Sequence, residues 1–214
     1  MFKDRSAFLL VIVFTILIAC RQKENNATQS VIKKDTPVVK MDDVNPFAPI
    51  DISPMDMSYY PVNFPVLKMT GEATGSPVMR VIYSRPHRQG RAIFGKLLKF
   101  GEPWRLGANE ATEIDFFKDV TIQNTKIHAG RYIIYCIPFP DKWTIVLNSN
   151  IFAWGLKIDS AKDIHRFEIP VTKTTSNIEY FTMIFEKANA GAELIMTWDD
   201  VMARLPIKFT ENNN

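Results

Sequence analysis

The chain has 214 residues, of which 46% are hydrophobic and 23% are charged, and its formal net charge is +3. This near balance of 26 basic and 23 acidic residues argues against nucleic acid, or an anionic membrane surface, as an electrostatic partner. The length leaves room for one domain with a substantial hydrophobic core after an N-terminal segment that does not fold with it.

The N-terminus has the pattern of a secretory signal that ends in a lipidation site. Lys3 and Arg5 precede an apolar stretch over 7–19, and residues 17–20 (LIAC) resemble a bacterial lipobox. A membrane-spanning helix needs about 20 apolar residues, so this stretch is too short to be one. The polar residues that follow also disfavour a buried core helix. The sequence therefore predicts a lipoprotein that carries fatty acyl chains such as palmitate on Cys20.

A lipid anchor at Cys20 determines the expected organisation and address of the chain. It makes the membrane a partner and places the protein in the cell envelope, with the outer membrane favoured and a periplasmic or surface-facing orientation left open. An extracytoplasmic address argues further against nucleic acid. The predicted segments are a signal peptide over 1–19, the lipidated cysteine and a flexible polar tether over 20–49, a β-sandwich domain over 50–209, and a disordered tail over 210–214.

The domain has the pattern of many short β-strands separated by Gly, Pro and Asn turns. Residues 112–116 alternate between apolar and polar side chains, and residues 78–84 are apolar on both faces, as in an interior strand. Only 93–100 and 160–163 leave room for a helical turn. This pattern predicts an all-β, antiparallel sandwich or jelly-roll-like single domain with little helix. Strands are expected at 78–84, 112–116, 120–122, 132–137, 143–147, 166–171, 180–185, 193–198 and 201–209, with a turn at 123–126 and Pro206 marking an edge.

Four residues are expected in the core of this sandwich. Trp143, Trp154 and Trp198 lie in or next to predicted strands, where an aromatic ring fills the space between sheets. Cys136 lies in the apolar run 132–137, so we interpret it as a small buried hydrophobe and not as a nucleophile. Lipidation of the only other cysteine leaves no disulfide within the chain, and packing must therefore hold the fold.

Several short motifs together resemble one known family. They are Ser53-Pro54-x-Asp56-x-x-Tyr59-Tyr60-Pro61, Tyr83-Ser84-Arg85-Pro86, Gly90-Arg91-x-Ile93-Phe94-Gly95, Trp104-Arg105-x-Gly107-Ala108-Asn109-Glu110-Ala111-Thr112, Ala129-Gly130-x-Tyr132, Trp143-Thr144-Ile145 and Trp154-Gly155. The combination resembles the bacterial domain-of-unknown-function family 2911, which is common in envelope proteins of Bacteroidota-type bacteria, and covers about 52–207. The resemblance implies a compact β domain that is secreted or lipid-anchored, and it implies no activity.

The segment 85–112 is richer in functional side chains than a core requires. Guanidinium groups bind carboxylate or phosphate in bidentate fashion, and an indole face can stack on a sugar. We therefore predict a site for a small anionic or saccharide ligand. Its candidate binding residues are Arg85, Arg91, Trp104, Arg105, Asn109 and Glu110. The alternative is that arginines of this segment pair with Glu102, Glu110 and Asp115 and fasten an irregular loop to the sandwich.

Catalytic interpretations have less support. Glu110 with Asp115, or the pair 199–200, are the carboxylates available for glycoside hydrolysis, and carboxylates at this density are more often solvated strand ends. The three histidines lack the paired spacing of metal ligands: His87, His128 and His165. We predict no catalytic residue, metal or cofactor, and a lipid-anchored binding or accessory module. An envelope hydrolase acting on saccharide or peptide material, and a purely structural or partner-docking domain, stay open as alternatives.

Overall fold

In the computed structural model the chain is described for residues 51–209, which form one antiparallel sheet of nine strands. The strands are β1 (Met55–Tyr60), β2 (Met79–Ser84), β3 (Glu113–Phe116), β4 (Val120–Ile122), β5 (Thr125–Ile127), β6 (Gly130–Pro138), β7 (Lys142–Asn148), β8 (Asp163–Ala188) and β9 (Gly191–Phe209). Their order across the sheet is β1-β2-β3-β6-β7-β8-β9-β4-β5. The predicted all-β, sandwich-like fold with little helix is confirmed.

The long strand β8 connects the two halves of the fold. Its residues up to Pro170 pair with β7, and its residues from Val171 onward pair with β9. The sequence pattern predicted two strands here, at 166–171 and 180–185. That prediction was wrong, because one continuous strand covers both ranges. The register with β9 shifts on both sides of Ile178, so bulges absorb the polar residues between the two apolar runs without ending the strand.

Strand β9 is likewise continuous where two strands, 193–198 and 201–209, were expected. Pro206 lies between Ala203, the last residue of β9 paired with β8 in this register, and Lys208, which pairs with β4. Proline has no backbone N–H to donate. Because Pro206 lies between these two paired stretches, its presence does not end the strand.

Turns and helices differ from the sequence-based expectation at three places. The hairpin between β4 and β5 has a two-residue turn at Gln123 and Asn124, whose φ angles of 48° and 66° fit the type I′ geometry, so it is shorter than the predicted turn. Residues 93–100 form turns instead of a helix. A helix that was not predicted, α1 (Phe64–Met69), buries only Phe64. The 3-10 turn at Ser160–Lys162, by contrast, agrees with the room left for a helical turn at 160–163.

The core lies between the two halves of the sheet and is rich in aromatic rings. Trp143 and Trp198 are buried as predicted, but Trp154 is 56% exposed, because it lies in a loop after β7 and not against a sheet. Cys136 is fully buried, and this burial raises the pKa of its thiol well above the usual range, which confirms its interpretation as a small hydrophobe. No helix within the described range 51–209 has the length and apolar character needed to cross a membrane.

Candidate functional site

The segment between β2 and β3 joins the two halves of the fold, and it contains the predicted site. On one side, Trp104 and Cys136 of β6 exchange two backbone hydrogen bonds, of 2.7 and 2.8 Å. On the other side, the backbone N–H of Arg88 donates to the carbonyl oxygen of Glu179 at 2.7 Å, and that of Phe181 donates to Pro86 at 3.1 Å. An irregular segment is thereby held in a defined position by strands from both halves.

Trp104 connects this segment to the core. Its ring stacks on Trp198 with centroids 5.9 Å apart and meets Trp143 and Phe181 edge-on. Its indole N–H donates to the carbonyl oxygen of Gly107 at 3.1 Å. With 6% of its surface exposed, Trp104 has no open ring face on which a sugar could stack.

A cavity of about 520 Å³ opens beside the segment, and we call it the arginine cavity. Its polar lining comes from Ser53, His87, Gln89, Arg91 and Arg105. Its apolar lining includes Ile52, Leu97, Leu98, Trp104, Leu156 and Trp198. The cavity thus combines residues from before β1, from the segment between β2 and β3, from the loop after β7, and from β9.

Arg105 is the least compensated charge at this cavity. Its Nε is buried and has no hydrogen-bond partner, and Arg105 forms no ion pair among the described residues. Burial lowers the pKa of its guanidinium. Burial of a cation without an acceptor is unfavourable, and a ligand oxygen that binds the accessible part of the Arg105 side chain would offset this cost.

The loop after β7 holds the Arg105 side chain by close approach at Gly155. A Cβ added at Gly155 would lie 3.0 Å from both Cβ and Cδ of Arg105, and the φ of +81° favours glycine in any case. The aliphatic stem of Arg105 is therefore restricted by backbone, while its guanidinium reaches the cavity.

Arg91 has its guanidinium oriented by backbone carbonyl groups. Its Nε donates to the carbonyl oxygen of Arg88 at 2.9 Å, and its Nη2 donates to that of His87 at 2.5 Å. Arg91 forms no ion pair within residues 51–209. A guanidinium carries five N–H donors, so several remain for a ligand, and no carboxylate of the described residues neutralises the charge.

The other three predicted binding residues do not line the arginine cavity. Arg85 pairs with Asp56 at 3.3 Å, the amide of Asn109 donates to Asp51 at 2.6 Å, and Glu110 is exposed to solvent. The structure therefore brings three of the six predicted residues together, namely Arg91, Trp104 and Arg105.

His87 and the exposed leucines of the cavity were not predicted. His87 stacks on Tyr180 with ring centroids 4.5 Å apart, and its Nε2 lies 3.1 Å from a carboxylate oxygen of Glu179. Leu156 lies in an apolar run, 151–156, that fits no strand. Such a run between turn residues is the sequence signal that could have indicated this wall of the cavity.

Arginines of the segment do form ion pairs with acidic residues, but their partners are not the expected Glu102, Glu110 and Asp115. Asp115 pairs with Arg80 and Arg131, outside the segment, and Glu102 pairs with Lys99. Within the segment, Nη1 of Arg88 lies 3.3 Å from Oε1 of Glu179. Nε of Arg88 lies 2.7 Å from Oδ1 of Asp199, which makes an ion pair, but the angle at Nε does not fit a hydrogen bond. Arg85 and Arg88 thus fasten the segment, and Arg91 and Arg105 do not.

Three of the four carboxylates considered for catalysis, namely Asp115, Asp199 and Asp200, are occupied by structural contacts, and Glu110 is exposed to solvent. The two oxygens of Asp199 contact Arg88 and the backbone N–H of Ile93, and Asp200 pairs with Lys173 at 2.6 Å. No carboxylate from the described part of the chain lines the arginine cavity. In that same part, no three His, Cys, Asp or Glu side chains are grouped as metal ligands would be.

The fold and the cavity define a class of protein, an all-β domain with two arginines and no carboxylate among the described residues that line its cavity. Residues 66–207 match the family described as protein of unknown function (DUF2911), and the chain belongs to this family. The resemblance inferred from the motifs is thereby confirmed. No curated protein and no solved structure matches the chain. The predicted signal peptide (1–19), lipidation site Cys20, tether (20–49) and C-terminal tail (210–214) lie outside the described residues.

Proposed function

We propose that this chain is a lipid-anchored protein of the cell envelope whose β domain binds a small anionic ligand in the arginine cavity. The ligand offers a carboxylate or phosphate group to Arg91 and Arg105. The observation that carries this proposal is the half-buried Arg105 side chain, which has neither an ion pair nor a hydrogen-bond acceptor among the described residues and lines a cavity together with a second arginine.

The physical argument is one of charge compensation. Removing a cation partly from water costs free energy unless an anion or a hydrogen-bond acceptor replaces the lost water. Arg85 and Arg88 each have a carboxylate of the protein for this purpose, whereas Arg91 and Arg105 have none among the described residues. Guanidinium groups form charge-assisted, bidentate hydrogen bonds with carboxylate and phosphate, which fits a ligand that completes the site.

The covered ring of Trp104 narrows the ligand class. A neutral saccharide would depend on an open aromatic face, and Trp104 is stacked inside the core. An acidic sugar would still satisfy the arginines through its carboxylate or phosphate. The proposal is therefore for an anion, with a saccharide body allowed and not required.

Ligand-induced stabilisation tests this function. The mature chain, residues 20–214 with Cys20→Ser, is heated with citrate, glucuronate, inorganic phosphate or neutral glucose. A ligand at 100 times its Kd stabilises the folded state by about 2.7 kcal/mol, which raises Tm by a few degrees. We expect at least one anion, and not glucose, to raise Tm.

Two variants connect that response to the cavity. Arg105→Met is expected to abolish the rise in Tm, and Arg204→Met, which removes an exposed arginine paired with Glu186 and Glu193, is expected to retain it. The proposal is wrong if no anion raises Tm, or if the response persists in Arg105→Met.

The lipid anchor is supported by the sequence at residues 17–20 and is tested separately. Cells that express the full chain are labelled with an alkyne analogue of palmitate, and the protein is partitioned with a cloud-point detergent. We expect label and detergent partition for the natural chain and neither for Cys20→Ser. Equal labelling of both proteins would contradict acylation at this cysteine.

A further inference from the structure

The arginine cavity has an apolar wall that a bare anion would leave exposed to water. Leu97, Leu156 and Ile52 line the cavity, and their exposed fractions are 47%, 72% and 72%. Leu98 and Trp198 extend the apolar lining inward. Large apolar side chains exposed around one opening are unfavourable in water and are typical of a surface that another apolar group covers.

We propose, on the basis of the anion-binding function above, that the ligand is an amphiphilic anion. One carboxylate or phosphate is bound by Arg91 and Arg105, and a hydrocarbon body attached to it covers Leu97 and Leu156. The arginines and the leucines line the same cavity. One molecule that carries both an anionic group and a hydrocarbon chain can therefore contact both kinds of side chain. A protein segment would need an acidic and an apolar side chain side by side to do the same.

The size of the cavity agrees with this ligand class. Its volume of about 520 Å³ is within the range of about 300–1,000 Å³ that small-molecule sites occupy, and it exceeds what a phosphate or a carboxylate alone would fill. A hydrocarbon chain that packs against the leucines removes apolar surface from water, and this burial increases the affinity of the ligand. Each methylene that becomes fully buried is expected to tighten binding about fourfold.

Isothermal titration with a matched series of probes tests this ligand class. The probes are inorganic phosphate, n-butyl phosphate and n-hexyl phosphate, which share a head group, and 1-hexanol, which lacks the charge. We expect affinity to rise by at least tenfold from inorganic to hexyl phosphate, and no measurable binding of hexanol. The mature Cys20→Ser chain is used without detergent, since micelles would take up the longer probes.

Two substitutions separate the apolar wall from the arginines. Leu156→Ser is expected to reduce the gain from butyl to hexyl phosphate to less than twofold, with the affinity for inorganic phosphate unchanged. Val66→Ser, at a 53% exposed position on α1 outside the cavity, is the matched control and should leave the whole series unchanged. Arg105→Met is expected to abolish binding of every phosphate probe.

The outcomes distinguish this inference from the function on which it rests. Inorganic phosphate that binds as tightly as hexyl phosphate overturns the amphiphile and leaves the anion site intact. Absence of binding by all phosphates overturns the amphiphile, and it overturns the anion site as well when citrate and glucuronate also leave Tm unchanged. If Leu156→Ser instead converts a dimer to a monomer in sedimentation and leaves hexyl phosphate affinity unchanged, the apolar wall is an interface between copies of the chain, and the inference is wrong.

Vesicles distinguish a bilayer lipid from a free amphiphile as the source of this chemistry. Co-sedimentation with phosphatidylglycerol vesicles, but not with phosphatidylcholine vesicles, supports a lipid head group when it is lost in Arg105→Met. Binding of hexyl phosphate without any vesicle binding supports a free amphiphilic anion. Vesicle binding that is equal for both lipids, together with no binding of hexyl phosphate, contradicts the proposal.

Discussion

Two pairs of arginines in this domain have opposite electrostatic surroundings. Arg80 and Arg131 share Asp115, with Nε–oxygen distances of 2.9 and 2.8 Å, and the hydrogen bond with Asp115 raises the pKa of Arg131. Arg91 and Arg105 share a cavity with no carboxylate of the described residues, and burial lowers the pKa of Arg105.

The comparison teaches that charge compensation separates a structural arginine from a candidate binding arginine. In the Asp115 cluster the protein supplies the anion, so the arginines stabilise pairing between β2, β3 and β6. In the arginine cavity the anion is left for a ligand. Three predictions test this contrast, in order of decreasing expected effect, and a fourth concerns a charge cluster outside both pairs.

Asp115→Asn is expected to destabilise the fold by about 2 kcal/mol, because it removes the negative charge of the buried carboxylate that Arg80 and Arg131 share. This value is below that for a fully buried pair, since both arginines are partly exposed. Urea unfolding measures the change. Asp141→Asn, at an exposed turn position, is the control and should stay within about 0.5 kcal/mol of the natural chain. Equal effects of the two would remove the contrast.

Arg105→Met is expected to leave the free energy of unfolding unchanged or to raise it by about 1 kcal/mol, while anion binding is lost. Methionine retains the packing of the stem and removes a partly desolvated cation. Arg131→Met, its counterpart in the Asp115 cluster, should lower stability by about 1 kcal/mol. Denaturation of both variants in parallel checks the opposite signs, and a similar loss in both would argue that Arg105 is a structural residue.

Gly155→Ala is expected to weaken anion binding about tenfold and to cost about 1 kcal/mol of stability. The added Cβ contacts the stem of Arg105, so the guanidinium must move. Gly75→Ala is a close control, because Gly75 has a similar φ of +75° and nothing within 4 Å of an added Cβ. Calorimetry should then show a loss of affinity only at position 155. Unchanged affinity in Gly155→Ala would show that the loop does not position Arg105.

The smallest effect is expected from an exposed charge cluster outside both pairs. Hydrogen bonds from Lys126 and from the backbone N–H of Ala129 lower the pKa of Asp119 from 3.8 to about 2. A lowered pKa in the folded state contributes stability above about pH 4, and this contribution is lost as the pH falls toward 2. Asp119→Asn should flatten that part of the acid unfolding curve. Carboxyl NMR titration checks the pKa directly, and a midpoint near 4 would contradict the assignment.

The fold was largely accessible from the sequence, because its cues are local. Alternation of side chains predicted β3, and a doubly apolar run predicted β2. The continuity of β8 and β9 was not accessible, since a bulge with polar residues has the same local pattern as a loop. The helix α1 buries a single side chain, so it has no apolar period to detect.

The candidate site was only partly accessible because it depends on contacts between distant segments. Guanidinium density in one segment correctly directed attention to 85–112. Which arginine lacks a partner is decided elsewhere: Arg88 meets Glu179, and Arg105 meets Gly155, about 50 residues along the chain. No pattern within the segment distinguishes these two cases.

Cys136 is fully buried and its backbone pairs with that of Trp104, so the reactivity of its thiol reports local opening of the structure at this place. With Cys20 acylated or replaced, Cys136 is the chain's one titratable thiol, and because it is fully buried, reagent reaches it when the structure around β6 opens, which includes separation of β6 from the segment before β3. The rate of thiol labelling therefore counts these openings in the native protein. A ligand that holds the segment in place from the cavity should slow that rate in proportion to its occupancy, without any probe attached to the site itself.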